Sequence, residues 1–276
     1  MPGRFVGKLE AAAQKSRSLL CVGLDVDPQR LPVADVLEFN RAIIDATQDL
    51  VCAYKPNLAF YEALGLEGLR ALEKTLACVP PHIPVIGDAK RGDIGNTAER
   101  YAHAMFKVWG FDAVTVSPFL GSDTVAPFLA YEDKGVFFLC RTSNPGAGEF
   151  QDLVVSREGW HGPLFEWTAR WALGLEGKAD VGLVVGATYP QELARLRELC
   201  PQTTFLIPGV GAQGGDLQAS VRLGADTRGR GVVINASRQV LYASGDPRAY
   251  REAARQAAQD LRDAINTVLE EGGKGW

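Results

Sequence analysis

Residues 85–97 read VIGDAKRGDIGNT. A short apolar run (Val85, Ile86, Gly87) ends in Asp88, Lys90 and Asp93. The run reads as a buried strand, so the charges sit where it emerges. Asp88 and Lys90 are two apart, a spacing that places both on one face of a strand. Two carboxylates around one ammonium are costly to bury as scaffold alone. Such groups at the mouth of a core strand mark a candidate reactive site.

The same pattern extends to both sides. Apolar runs recur at LLCVGLDVDP (19–28), VCAYKPN (51–57), AVTVSP (113–118), GVFFLCRTS (135–143), VGLVVGA (181–187), TFLIPGV (204–210) and GVVINAS (231–237). Helical spacing fills the intervals: 34–50, 59–78, 94–109, 122–132, 163–173, 190–199 and 215–223, with an opening helix at 4–16 and a closing one at 247–270. Pro247 suits the first turn of that last helix. Its predicted inner face is Tyr250, Ala254, Ala257, Leu261, Ile265 and Val268. The strands are continuous apolar runs, which implies burial on both faces and parallel pairing. Eight strand–helix units predict a (β/α)8 TIM barrel. The alternative is a doubly wound open sheet, but no GxGxxG follows the first strand. No Pro/Ser-rich linker divides the chain, so residues 1–276 are expected to form one domain, with a frayed tail from about 271. Segments 144–162 (long and irregular) and 209–216 are candidate lids.

Composition bounds the function. The chain has 276 residues, 46% of them hydrophobic, and a net charge of −4. No basic stripe points to nucleic acid. No apolar run reaches membrane-spanning length, and the polar N-terminus is not a signal peptide. Five cysteines without a CxxC pair read as reduced, packed thiols of a cytoplasmic protein. His82, His103 and His161 are scattered and read as structural or surface groups.

In a barrel of this kind the active site lies at the carboxyl ends of the strands. The polar residues there are Asp25, Lys55, Asp88 and Lys90, with Asp93 just beyond. Ser143 follows strand five; Pro208, Gly209 and Gln213 follow strand seven; Asn235, Ser237 and Arg238 follow strand eight. The glycine-rich PGVGAQGG and the helix opened by NASR suit a phosphate, with the Arg238 guanidinium as a fork for its oxygens. Ammonium groups between the carboxylates disfavour a metal site. No nucleophile pair and no cofactor fingerprint is evident, so no cofactor is expected. The chemistry should run on fixed charge and proton transfer.

DAKRGDIGNT matches the Asp-x-Lys-x-x-Asp-Ile-x-x-Thr signature of the orotidine 5'-phosphate decarboxylases. GLDVDP, YKPN, TSNPGAG, PGVGAQGGD and GRGVVINASR resemble that family's other motifs, in its order. KPNLAFYE and TSNPGA resemble its longer bacterial branch (type 2). The resemblance covers about residues 18–240 and implies decarboxylation of orotidine 5'-phosphate to UMP, the last step of de novo UMP synthesis. It implies that Lys90 protonates carbon 6, that Asp88 faces the substrate carboxylate, and that Lys55 bridges Asp88 and the ribose with Asp25 on a ribose hydroxyl. Ser143 would bond the pyrimidine amide edge, Gln213 would span base and phosphate, and Arg238 would clamp the phosphate, near Pro208 and Ser237. It implies a homodimer in which Asp93, Ile94 and Thr97 reach the neighbouring subunit's site. Two rivals share the scaffold. A metal-dependent 3-keto-gulonate 6-phosphate decarboxylase carries a glutamate ligand where this chain has Lys55. A non-catalytic nucleotide-binding barrel would have no need of both lysines and all three aspartates.

Overall fold

The computed structural model describes residues 4–157, 159–211 and 215–276. Its strands are β1 (Leu20–Leu24), β2 (Ala53–Pro56), β3 (Ile86–Arg91), β4 (Ala113–Val116), β5 (Gly135–Arg141), β6 (Val154–Arg157), β7 (Trp160–Pro163), β8 (Asp180–Val185), β9 (Thr204–Ile207) and β10 (Val232–Ala236). Eight of them form one parallel sheet in the order β2-β1-β10-β9-β8-β5-β4-β3. Parallel bridges Tyr54–Val85 and Asn57–Asp88 join its two ends. The result is a TIM barrel, and the open-sheet alternative falls because the order is cyclic.

The helices are α1 (Arg4–Ser16), α2 (Val36–Thr47), α3 (Leu58–Glu62), α4 (Gly65–Cys78), α5 (Gly95–His103), α6 (Ser122–Leu129), α7 (Gly148–Gln151), α8 (Leu164–Leu173), α9 (Pro190–Leu199), α10 (Leu217–Gly224), α11 (Arg238–Leu241) and α12 (Tyr250–Glu271). Local chemistry sets several starts. The Asp35 carboxylate accepts from Glu38 N at 2.8 Å and caps α2. Asp216 caps α10 in the same way, from Ala219 N at 3.1 Å. Pro190 begins α9, where a missing N–H costs nothing.

α1 closes the amino-terminal mouth of the barrel. Phe5 meets Phe137 edge-on, with centroids 5.9 Å apart. Gly135 is required there, because a Cβ would lie 2.4 Å from the Phe5 ring. Lys8 Nζ reaches Asp112 Oδ1 at 2.6 Å, and Val6 N donates to Asp180 Oδ2 at 2.9 Å. The floor is therefore sealed, and the carboxyl ends of the strands are left to form the site.

Four expectations need correction. Segment 144–162 is not irregular. It carries a short turn, α7 and an antiparallel hairpin of β6 on β7. The predicted 59–78 helix breaks after Glu62, and Gly65 restarts it at φ +64°. On α12 the buried alanine is Ala258, not Ala257, since the stripe steps by four and then three. The tail beyond 271 is not frayed. Trp276 Nε1 donates to Asn266 Oδ1 at 2.8 Å, and the Arg230 guanidinium lies 3.6 Å from the Trp276 ring centre. Cys21, Cys52, Cys140 and Cys200 are buried free thiols, and Cys78 is half-buried. The three histidines are exposed. No helix among the described residues is long and apolar enough to cross a membrane.

Candidate active site

A cavity of about 530 Å³ opens at the carboxyl ends of the strands. That size suits a small organic ligand. β1 supplies Asp25, β2 supplies Lys55, and β3 supplies Asp88 and Lys90. Ser143 follows β5, Pro208 follows β9, and Ser237 and Arg238 follow β10. All eight were expected there, and the barrel brings them together. Leu139, Val184 and Leu206 add an apolar wall.

The charges form a chain. Lys55 Nζ lies 2.9 Å from Asp88 Oδ2 and 3.9 Å from Asp25 Oδ1. Lys90 Nζ lies 2.6 Å from Asp88 Oδ1. Lys55 is 3% exposed, whereas the Lys90 side chain is 50% exposed and reaches into the cavity. Burial pushes the Asp88 carboxyl up, but the Lys55 and Lys90 ammonium groups outweigh it. The net effect holds Asp88 well below the usual carboxylate range. Burial pushes the Lys55 ammonium down, but Asp88 and Asp25 outweigh it and hold Lys55 above the usual lysine range.

These directions set a pH window. Asp88 adds stability above the ordinary carboxylate value of about 4, and that contribution is lost as pH falls toward its lower folded value. Lys55 adds stability below about 10.4, lost as pH rises further. Asp88→Asn is therefore expected to destabilise the fold by about 3 kcal/mol at pH 7. Urea unfolding should give a constant wild-type-minus-variant difference between pH 5 and 9, shrinking below about pH 4. A difference unchanged at pH 3 contradicts the depressed Asp88.

Lys90 does not sit on a regular strand. Its φ is +47°, in the left-handed region. For a side chain with a Cβ this costs of order 1–3 kcal/mol and is found where surroundings enforce it. The cause is a bulge. Gly87 pairs with Val114 and Arg91 with Val116, so four steps on β3 face two on β4. Strand alternation thus gave the right face for Asp88 and Lys90 by a different route from the one the structure takes.

Two acceptors in the cavity are buried with no hydrogen-bond donor among the described residues: Asp25 Oδ1 and Asn235 Oδ1. Such atoms suit the hydroxyl donors of a sugar. Gly23 leaves room for this corner, since a Cβ there would lie 2.0 Å from Ser237 Oγ.

The segment after β5 is tied down from below. Arg141, 2% exposed, stacks 3.9 Å from the Tyr189 ring centre and reaches Asp152 at 3.2 Å. Gln151 accepts from Thr142 N at 2.9 Å and donates to Thr142 Oγ1 at 2.8 Å. Those bonds frame Ser143.

Three expected residues stand apart from this cavity. Asp93 Oδ1 accepts from Ile94 N at 2.8 Å, capping its own turn. Ile94 is 62% exposed, and Thr97 is exposed on the first turn of α5. None of the three lines the cavity. Gln213 lies outside the described residues. The sequence reading missed Thr115, Thr142, Asn144 and Gln151, all lining residues. Thr115 had a signal, a lone hydroxyl inside an aliphatic strand. Gln151 had none, because it returns to Thr142 from the end of α7, a single turn with no period to read.

A TIM barrel with a lysine–aspartate chain facing phosphate-suited groups defines an enzyme acting on a phosphate ester. Residues 18–254 match the model of the Orotidine 5'-phosphate decarboxylase / HUMPS family, and the chain belongs to that family. It is similar to the orotidine 5'-phosphate decarboxylase of Thermomicrobium roseum, 49% identical over 274 residues, covering 97% of this chain and 96% of that one. It is also similar to the Leishmania donovani OMP decarboxylase structure, with TM-score 0.84 and 41% identity, covering 96% and 98% of the two chains. Against Leishmania donovani UMP synthase the TM-score is 0.86 at 42% identity. There 97% of this chain spans 57% of the longer one.

Proposed function

We infer that the cavity decarboxylates orotidine 5'-phosphate to uridine 5'-phosphate and carbon dioxide, with Lys90 as the acid. The observation that carries this is the Lys55–Asp88–Lys90 chain, which ends in an ammonium beside the Asp88 carboxylate in a cavity that also has an apolar wall. When the bond from carbon 6 to the carboxylate breaks, its electron pair stays on carbon 6 in the ring plane. The π system cannot take it up there, so a fixed cation is the stabiliser available. Lys90 then gives its proton to carbon 6 and is reprotonated from water. Asp88 faces the leaving carboxylate and holds both ammonium groups in place. Lys55 and Asp25 take the ribose hydroxyls, which the orphaned Asp25 Oδ1 favours. Ser143 reads the amide edge of the base. Pro208, Ser237 and Arg238 hold the phosphate end, with Gln213 between phosphate and base. The working unit is a homodimer in the cytoplasm, with Asp93, Ile94 and Thr97 completing the partner's site.

The test is loss of orotate absorbance on adding orotidine 5'-phosphate in the presence of EDTA. Turnover is expected. None at all overturns the reading, and turnover abolished by EDTA favours the metal-dependent relatives. The phosphate role has its own check. Arg238→Ala should raise KM for the nucleotide by about 100-fold, the scale of a charge-assisted bidentate contact. It should leave turnover of phosphate-free orotidine unchanged, and equal loss on both substrates contradicts the assignment.

A further inference from the structure

Thr115 stands at the centre of β4 and is 1% exposed. Its hydroxyl makes three contacts. Oγ1 accepts the backbone N–H of Ala89 and that of Lys90, each at 3.0 Å, and donates to Asp88 Oδ1 at 2.9 Å. A hydroxyl has one proton and two lone pairs, so its capacity is filled. The two N–H groups are those that the bulge between Gly87 and Arg91 takes out of the regular ladder. Buried amide donors need an acceptor, and here a side chain replaces the neighbouring strand's carbonyl. Lys90 holds its left-handed φ of +47° at this spot.

We propose that the Thr115 hydroxyl is the positioning group of the catalytic bulge, holding Lys90 in its left-handed conformation and aiming the Asp88 carboxylate between the two ammonium groups. Valine has the same shape but no acceptor. With valine the two amides lose their partner and Asp88 loses a donor, so the backbone at 89–90 relaxes toward ordinary strand geometry. That moves the Lys90 ammonium away from carbon 6. Serine keeps the hydroxyl and so keeps the clamp. The proposal rests on the reading of Lys90 as the acid.

The experiment compares Thr115→Val and Thr115→Ser with wild type in kcat, KM and affinity for UMP. Thr115→Val should lose about 100-fold in kcat, the scale of an ångström-sized misplacement. Its KM and UMP affinity should move by less than about threefold, because ground-state contacts persist. Thr115→Ser should stay within about fivefold of wild type in kcat. On a Lys90→Ala background, Thr115→Val should add less than about threefold, since the two act through one group. Wild-type kcat in folded Thr115→Val overturns the proposal, as does a folded Thr115→Ser as slow as the valine variant. Additive losses on the Lys90→Ala background also overturn it. If Thr115→Val does not fold, Thr115→Ala against Thr115→Ser isolates the hydroxyl with the same expected gap. An active Lys90→Ala protein would instead sink the reading of Lys90 and leave the geometry of the clamp untouched.

Discussion

Lys90→Ala is expected to lower kcat by about 10⁵-fold, combining a lost proton donor with a lost charge at the developing carbanion. That corresponds to about 7 kcal/mol of transition-state stabilisation. Most of it should fall on kcat. The Lys90 side chain is half exposed and makes its ion pair with Asp88, so ground-state binding of the nucleotide is carried elsewhere in the cavity. UMP affinity, measured by calorimetry, should change by less than about tenfold. Folding should survive, because Asp88 keeps Lys55 at 2.9 Å and Thr115 at 2.9 Å. A loss below about 10²-fold would reduce Lys90 to one electrostatic contact among several. A loss of UMP binding as large as the loss of kcat would make it a binding group.

The barrel was legible because most of its strands are buried on both faces and so are written as apolar runs. Asp88, Lys90, Asp25 and Lys55 were legible for the opposite reason: they interrupt such runs at the carboxyl end. What stayed hidden had no period to read. The β6–β7 hairpin is half exposed and carries Ser156, Arg157 and His161 among its apolar residues, so it resembled a loop. The tail GGKGW looked frayed for its glycines, while its single Trp276 finds a cation on Arg230, far away in sequence, and an acceptor on Asn266 of α12. The bulge at Lys90 is set by Thr115 on the next strand, a pairing that no local pattern in 85–97 records. Gln151 reaches Thr142 from nine residues further on for the same reason.

Mixing two inactive proteins, Lys90→Ala and Asp93→Ala, is expected to restore activity. The motif VIGDAKRGDIGNT divides at its bulge. Asp88 and Lys90 line their own cavity, while Asp93 does not line it and accepts from Ile94 N. Ile94 is exposed, and so are Phe119 (83%) and Leu120 (42%) in the loop after β4. Leu120 Cδ1 lies 3.8 Å from a Cβ built at Gly92, so the two loops adjoin. Exposed apolar groups of this kind beside a site suit a second copy of the chain. In an isologous dimer Asp93 would then enter the partner's cavity, and a mixed dimer would hold one site with both defects and one with neither. Equal mixing makes half of the dimers mixed, so about a quarter of all sites should work. Subunit exchange is followed by mass spectrometry of differently tagged chains, and turnover should rise with the mixed fraction. Verified exchange with no recovered turnover means that each chain builds its site alone, and Asp93 then needs a role within its own turn.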